Sequence, residues 1–332
     1  MADLRAGLVG LGMMGRHHAR VLGSLPGVDL VAVIDPAGDA HGVAGRAPVY
    51  HSLEEAIALG LDYCVVAAPT AFHTELALTL AAAGIHALVE KPLAADTASA
   101  TKLADAFDAA GLVGAVGHIE RYNPSLQEAR RRLSAGELGE VFQVATRRQG
   151  PFPARIADVG VVKDLGTHDI DLTAWVTQQA YTSVAAGTAH RSGRDHEDLV
   201  SFVGRLSSGI VTSHLVNWLS PMKERVTIIT GERGAFVADT LTADLTFYAN
   251  GSVATEWDDV AQFRGVSEGD VVRYAIAKPE PLRLEHEAFR DAVLGKPADI
   301  VTMRQGVRTV YVAEAVLESA VTGRVVDLDP PL

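Results

Sequence analysis

Through the first third of the chain, short apolar runs alternate with stretches whose apolar positions recur at helical spacing. "AGLVG" leads into a periodic segment over residues 13–24, then come "LVAVID", a brief "APVY" and the helical "SLEEAIAL". "DYCVVAAP" precedes a helix over 70–83, "HALVEKP" a helix over 96–110, and "VGAVGHI" closes the series. This repetition predicts a doubly wound parallel sheet with crossover helices. Ser52 with Glu55 fits a capping box, and Thr70 precedes the periodic stretch from Ala71. From about residue 140 the texture becomes strand-like: "EVFQVATRR", "LVSFVGRL", "GIVTSHLVNW", "RVTIITGE" and "GAFVAD", with Asn250-Gly251 offering a hairpin turn. That pattern predicts a mainly antiparallel sheet, followed by two helices in "PLRLEHEAFRDAVLG" and "RQGVRTVYVAEAVLESAVTG". The predicted domains are 1–120 and 121–332, of α/β and α+β class.

Composition narrows the classes of function. With 29 basic against 41 acidic residues the formal charge is −12, which opposes general affinity for nucleic acid or an anionic membrane. No apolar run approaches the ~20 residues that span a bilayer, and "MADLRAGLVGLG" enters a strand pattern instead of a signal-peptide core, so the expected location is the cytoplasm. The one cysteine, Cys64, lies in an apolar run and is expected to be buried and structural.

Candidate chemistry begins at "GLVGLGMMGRHH", where Gly10, Gly12 and Gly15 follow a strand and open a helix, so that backbone amides can approach a pyrophosphate. The second strand ends at Asp35, twenty residues past Gly15, where a carboxylate accepts hydrogen bonds from an adenosine ribose. Asp35 repels a 2′-phosphate and Pro36 offers no donor, which favours NAD over NADP. Lys91, in "VEKPLA", leaves the carboxyl end of the fifth strand, where an open parallel sheet places its ligands. In "KDLGTHDIDLTAW", Asp164, His168, Asp171 and Trp175 fall within about 60° on one stripe of an ideal helix. Leu165, Leu172 and Val176 form the adjacent stripe, which predicts buried leucines beside a polar stripe facing a cleft, with Asp169 pointing elsewhere. No further ligand cluster supports a metal at this histidine.

The glycine fingerprint, "EKP", the antiparallel second domain and the D-x-G-x-H-x-x-D run at Asp164, Gly166, His168 and Asp171 together resemble the Gfo/Idh/MocA family of oxidoreductases. The resemblance implies a Rossmann domain and a second domain whose open sheet supports homodimers or homotetramers. It also implies catalysis by Lys91, Asp164 and His168 in the oxidation of a sugar or polyol hydroxyl. It places NAD against Gly10, Gly12, Met13, Met14, Gly15, Asp35, Pro36, Ala68, Pro69, Thr70, His73, Glu90 and Lys91. "GHIERYNPSLQEA" and "RRQGPFPARIADVGVVKDLGTHDID" are similar to the branch that oxidises UDP-N-acetylglucosamine at carbon 3, which makes Arg121, Tyr122, Asn123, Arg148, Arg155 and Asp171 substrate-contact candidates. Residues 120–163 hold eight basic against five acidic groups, a local positive field suited to a sugar diphosphate. Thr167 departs from the more hydrophobic residue common beside the histidine in this branch. Either Lys91 or His168 takes the hydroxyl proton in this reading. A free-polyol dehydrogenase and a non-catalytic cofactor-binding regulator are the alternatives.

Overall fold

The computed structural model describes residues 3–152, 159–251 and 267–329. They form two compact units, Met1–Ile119 with Glu280–Glu314 and Glu120–Pro279 with Ala315–Leu332.

In the first unit, β1 (Leu4–Val9), β2 (Val28–Ile34), β3 (Val49–Tyr50), β4 (Tyr63–Val66), β5 (His86–Glu90) and β6 (Gly114–Gly117) make one sheet. Its order is β3-β2-β1-β4-β5-β6 and every neighbouring pair is parallel. Helices α1 (Met13–Leu22), α2 (Leu53–Ile57), α3 (Thr70–Ala82) and α4 (Thr97–Ala110) cross between strands as predicted. Successive residues of a strand point to opposite faces, and here both faces are covered. Tyr63 and Val65 enter one apolar cluster with Leu8 and Leu88, while Cys64 and Val66 enter another with Val9 and Ile34. Burial pushes the Cys64 thiol up to about 12, so it packs as a small hydrophobe.

Two local expectations shift by a residue. Ser52 Oγ accepts the Glu55 N–H at 3.4 Å, but the Glu55 carboxylate returns to the N–H of His51, not Ser52. Helix α3 takes in Thr70 itself and has Pro69 before it.

The chain passes from the first unit to the second after Ile119, but 121–332 is not wholly in the second unit. Helix α7 (Pro281–Val293) and the first twelve residues of α8 (Met303–Thr322) return to the first unit. Phe289 meets Tyr63 edge-on at 5.4 Å, and Met303 and Val310 join the cluster around Val66. Amphipathic spacing gives a helix a buried face without saying which layer that face covers.

The second unit holds β7 (Val141–Gln149), β8 (Tyr181–Ala189), β9 (Leu199–Leu206), β10 (Val211–Asn217), β11 (Glu224–Gly231), β12 (Gly234–Asp239), β13 (Asp244–Gly251), β14 (Ser267–Arg273) and β15 (Val326–Asp327). They form a nine-stranded sheet in the order β14-β13-β12-β11-β7-β10-β9-β8-β15. The sheet is antiparallel except at β7 and β10, which run parallel. Strand β8 was not legible because "YTSVAAGTA" lacks a run of large apolar residues. Asn250 and Gly251 do not make the predicted turn: they pair with Glu268 and Ser267 as the end of β13. One sheet face packs Val144, Phe202 and Val216 on the side of α5 (Pro124–Ser134) and α6 (Thr167–Thr177), while Val203 and Val211 on the other are exposed. Among the described residues no helix is long and apolar enough to cross a membrane.

Candidate active site

The three glycines of the first loop are each required for a different steric reason. Gly10 has φ +95°, and a Cβ on it would lie 2.7 Å from Ala67 O at the end of β4. A Cβ on Gly15 would lie 1.9 Å from Gly10 O, so only glycine lets α1 pack this close to the turn. Gly12, immediately before α1, has nothing within 4 Å of where a Cβ would stand. That space lies at a helix N-terminus, where a ligand's phosphates can approach. Gly10 N–H donates to Ile34 O (2.7 Å) and Ala67 N–H to Val9 O (2.8 Å), so the loop sits where β1 turns between β2 and β4, the switch point of the sheet.

Asp35 closes this loop from the end of β2. Its Oδ2 accepts Leu11 N–H at 2.8 Å and its Oδ1 accepts Ala37 N–H at 2.9 Å. Each carboxylate oxygen has a second lone-pair direction for a ribose hydroxyl. The open space over Gly12 and the carboxylate at the β2 end therefore fit a dinucleotide. Met13 is exposed at the helix start and Met14 half-buried.

Around the ends of β4 and β5 the side chains turn inward. His73 is buried, with Nε2 at 2.9 Å from Ala68 O and Nδ1 at 2.9 Å from Pro92 O. It stands between the two loops, with a carbonyl oxygen of each within reach of its ring. Burial lowers its pKa, so the ring is neutral and donates to one carbonyl at a time. Glu90 is also internal: Oε1 lies 2.9 Å from His18 Nε2 and Oε2 accepts the Lys91 N–H at 3.0 Å. Its expected cofactor contact gives way to this support of the strand end. Lys91 itself is half-buried.

In the second unit the helix read from "KDLGTHDIDLTAW" is two structures. Val162–Gly166 is a π turn and α6 follows at Thr167. The wider turn breaks the single helical phase that placed Asp164 and His168 on one stripe. Nor does α6 divide into a packed stripe and an open one: His168, Asp169, Ile170, Asp171, Leu172, Thr173, Trp175 and Val176 are all buried. Polar groups can be buried on every side here because basic side chains from neighbouring elements meet the carboxylates. Arg121 binds Asp171 bidentately, Nε to Oδ2 at 2.8 Å and Nη2 to Oδ1 at 2.6 Å. Arg148 Nε lies 3.1 Å from both oxygens of Asp169, and its Nη1 donates to Glu120 at 2.7 Å. Burial raises the Asp169 carboxyl to about 6 against the opposing charge of Arg148. Asp169 is thus the anchor of a buried ion pair, not a bystander.

These contacts change the reading of three substrate candidates. Arg121 and Arg148 spend their charge on α6, and Asn123 caps α5 through Ser125 N–H (3.1 Å) while donating to Thr240 O (3.0 Å). Charge and sequence position cannot distinguish an arginine that meets a ligand from one that holds a helix. Tyr122 is buried, and Arg155 lies outside the described residues. Thr167, buried beside His168, returns its hydroxyl to Lys163 O at 2.9 Å.

Two contributors were missed. Buried Glu197 accepts Val162 N–H on Oε1 at 2.9 Å and its backbone carbonyl accepts Val161 N–H at 3.0 Å, fixing the start of the π turn that carries Asp164. A Cβ on Gly160 would stand 2.1 Å from the Glu197 carboxylate, which explains that glycine. Arg225 faces Arg148 across β11 and β7 and donates from Nη1 to Gln149 O and Glu224 O, both at 2.8 Å. Burial and the charge of Arg148 lower its pKa. Neither residue belongs to a motif; only strand pairing and loop return bring them to α6.

Residues 4–118 match the oxidoreductase family with NAD-binding Rossmann fold, and residues 126–237 match the GFO/IDH/MocA C-terminal domain. UDP-N-acetylglucosamine 3-dehydrogenase of Acidithiobacillus ferrooxidans is 31% identical over 88% of this chain and 90% of that protein. Its solved structure superposes with TM-score 0.84, covering 96% of this chain and 98% of the other at 27% identity. scyllo-Inositol 2-dehydrogenase (NAD(+)) of Bacillus subtilis is 31% identical over 55% of this chain and 56% of that protein. The structure of GenD2 from gentamicin A biosynthesis, in complex with NAD, gives TM-score 0.82 at 29% identity over 99% of this chain and 97% of that one.

Proposed function

Because the chain belongs to the Gfo/Idh/MocA family of NAD-binding oxidoreductases, we propose that it oxidises C3 of a UDP-N-acetylhexosamine to the 3-keto sugar. The observation that carries this substrate is the extent of similarity: the nucleotide-sugar dehydrogenase matches along 88% of the chain, the inositol dehydrogenase along 55%. The second domain, where a substrate is selected, thus falls largely within the first match.

NAD, when bound, supplies the hydride acceptor. The chain's own groups do the rest: the Gly10–Gly15 loop and Asp35 hold the dinucleotide, and either Lys91 or His168 accepts the hydroxyl proton. Lys91 polarises the developing carbonyl and Asp164 orients the imidazole. NAD is preferred to NADP because Asp35 already stands as a half-buried carboxylate with Pro36 exposed behind it, and a 2′-phosphate would meet negative charge with no donor. Arg121 and Arg148 act at one remove, by holding α6. The exposed sheet face around Val203 and Val211 supports a homodimer or homotetramer.

A free polyol is the second reading, favoured by the commitment of Arg121 and Arg148 to carboxylates, which removes two cations from a diphosphate site. Formation of NADH absorbance with UDP- and dTDP-sugars, set against free inositols and hexoses, separates the two. Reduction of NAD by an inositol alone overturns the nucleotide-sugar proposal. Lys91→Met is expected to abolish turnover with NAD affinity within a few fold, and unimpaired turnover removes Lys91 from the mechanism.

A further inference from the structure

A line of buried polar side chains runs beneath the end of β5. His286 Nε2, on α7, lies 2.8 Å from His18 Nδ1, on α1; His18 Nε2 lies 2.9 Å from Glu90 Oε1; Glu90 Oε2 accepts the Lys91 N–H at 3.0 Å. His18, Glu90 and His286 are all nearly inaccessible, as is Glu285 beside His286. Four titratable groups in an apolar interior are costly unless the arrangement does something a set of leucines cannot. The described residues contain no cluster able to hold a metal, so coordination does not explain them.

We propose that His18 is a positioning residue for Lys91: acting through Glu90, it fixes the backbone from which the Lys91 side chain departs. This rests on the reading of Lys91 as a catalytic group. The ionised carboxylate only accepts, so His18 donates from Nε2, and His286 completes the line on the other nitrogen and fixes the ring. Gly117, at the end of β6, walls in the carboxylate: a Cβ there would stand 3.2 Å from Glu90 Oε2. Glu90 therefore has one place to sit, with one oxygen on the imidazole and the other on Lys91.

Charge follows the same geometry. Among the described residues the groups bearing on Glu90 include His18 from α1, Lys91 beside it, His73 from α3 and Glu285 from α7, which stands beside His286. Burial pushes the Glu90 carboxyl up, but the His18 hydrogen bond and charge, together with Lys91, bring it below its ordinary value. Glu285 is raised well above its ordinary value by burial and by the charge of Glu90. Removing His18 leaves burial unopposed on one side, and Glu90 then takes up a proton in the assay range.

The test compares His18→Leu with His18→Gln, whose amide nitrogen replaces the Nε2 donor. His18→Leu should lower kcat about 10- to 100-fold, the scale of a misplaced reacting group. Its residual activity should rise with pH as Glu90 ionises, because burial raises the carboxyl once the His18 hydrogen bond is gone. His18→Gln should recover kcat to within a few fold and lose that acid limb. A packing role predicts the reverse order, since leucine fills an apolar site better than glutamine; that order, or a wild-type kcat in His18→Leu, overturns the proposal. Should His18→Leu fail to fold, Glu90→Gln decides: a comparable loss of kcat without an acid limb supports positioning, and a wild-type kcat refutes it. Lys91→Met is assayed in parallel. If it retains turnover the reading of Lys91 fails, whereas loss in Lys91→Met with no effect at His18 or Glu90 defeats this inference alone.

Discussion

Replacing Arg148 by methionine removes the one cation that holds Asp169 and Glu120 together against α6. The side chains of Arg148 and Asp169 are 4% and 2% exposed, so water cannot take over the lost contacts. Asp169 already titrates at about 6 in the folded protein against an ordinary 3.8, because burial outweighs Arg148. At about 1.36 kcal/mol per unit, that difference of about two units corresponds to about 3 kcal/mol. The folded state binds this proton more tightly than the unfolded chain does. Its contribution to stability is therefore fully present below about pH 4 and is lost as pH rises through about 6. In the wild type about half of this proton is still bound at pH 6, so the loss is complete only near pH 7 and Asp169 adds no further slope from there to pH 8. Without the guanidinium its pKa moves higher, so Arg148→Met should go on losing about 1.4 kcal/mol per pH unit through neutrality. By pH 8 the gap from wild type should widen by up to about 2 kcal/mol relative to pH 6. All three tryptophans, Trp175, Trp218 and Trp257, lie within Glu120–Pro279, so urea unfolding followed by tryptophan fluorescence reports on this unit. Arg148→Met/Asp169→Asn should abolish the added slope and Arg148→Met/Glu120→Gln should keep it. A pH-independent difference between wild type and Arg148→Met, or a slope that survives loss of Asp169, refutes the reasoning.

Gly12→Ala meets no protein atom within 4 Å, so its melting temperature should stay near wild type while NAD affinity falls at least about tenfold by titration calorimetry, through lost backbone approach; unchanged affinity would place the phosphates elsewhere. Glu197→Gln replaces the carboxylate that accepts Val162 N–H at the π turn with a weaker neutral acceptor, costing about 1–3 kcal/mol. It should lower kcat more than it changes NAD affinity, and a normal kcat would show that the turn holds Asp164 without this acceptor.

The first sheet was legible in the chain because strands buried on both faces must be apolar at every position, and helices between them must carry one apolar stripe. The glycine loop was legible for a similar reason: only glycine tolerates the φ of Gly10 or the approach of Gly15 to Gly10 O. The D-x-G-x-H-x-x-D run was legible through its resemblance to the family pattern.

What spacing could not supply was the partner of each polar group. An arginine's sequence surroundings are the same whether it meets a phosphate or a buried carboxylate, so the pairing of Arg121 and Arg148, read as substrate contacts, with Asp171 and Asp169 of α6 was not legible. Asp169 looked idle because its partner lies on a strand 21 residues away, and the two-stripe picture of α6 failed because it treated the helix as lying on a single apolar layer. His18, Glu90 and His286 come from three elements up to 268 residues apart and meet only once α7 has folded back onto the first sheet. Sequence alone determined the elements, their order and the candidate chemistry, since these follow from local sterics and the side-chain periods of helix and strand. Which charges neutralise one another, and which domain a helix completes, only the tertiary structure decided, because both depend on burial shared between distant segments.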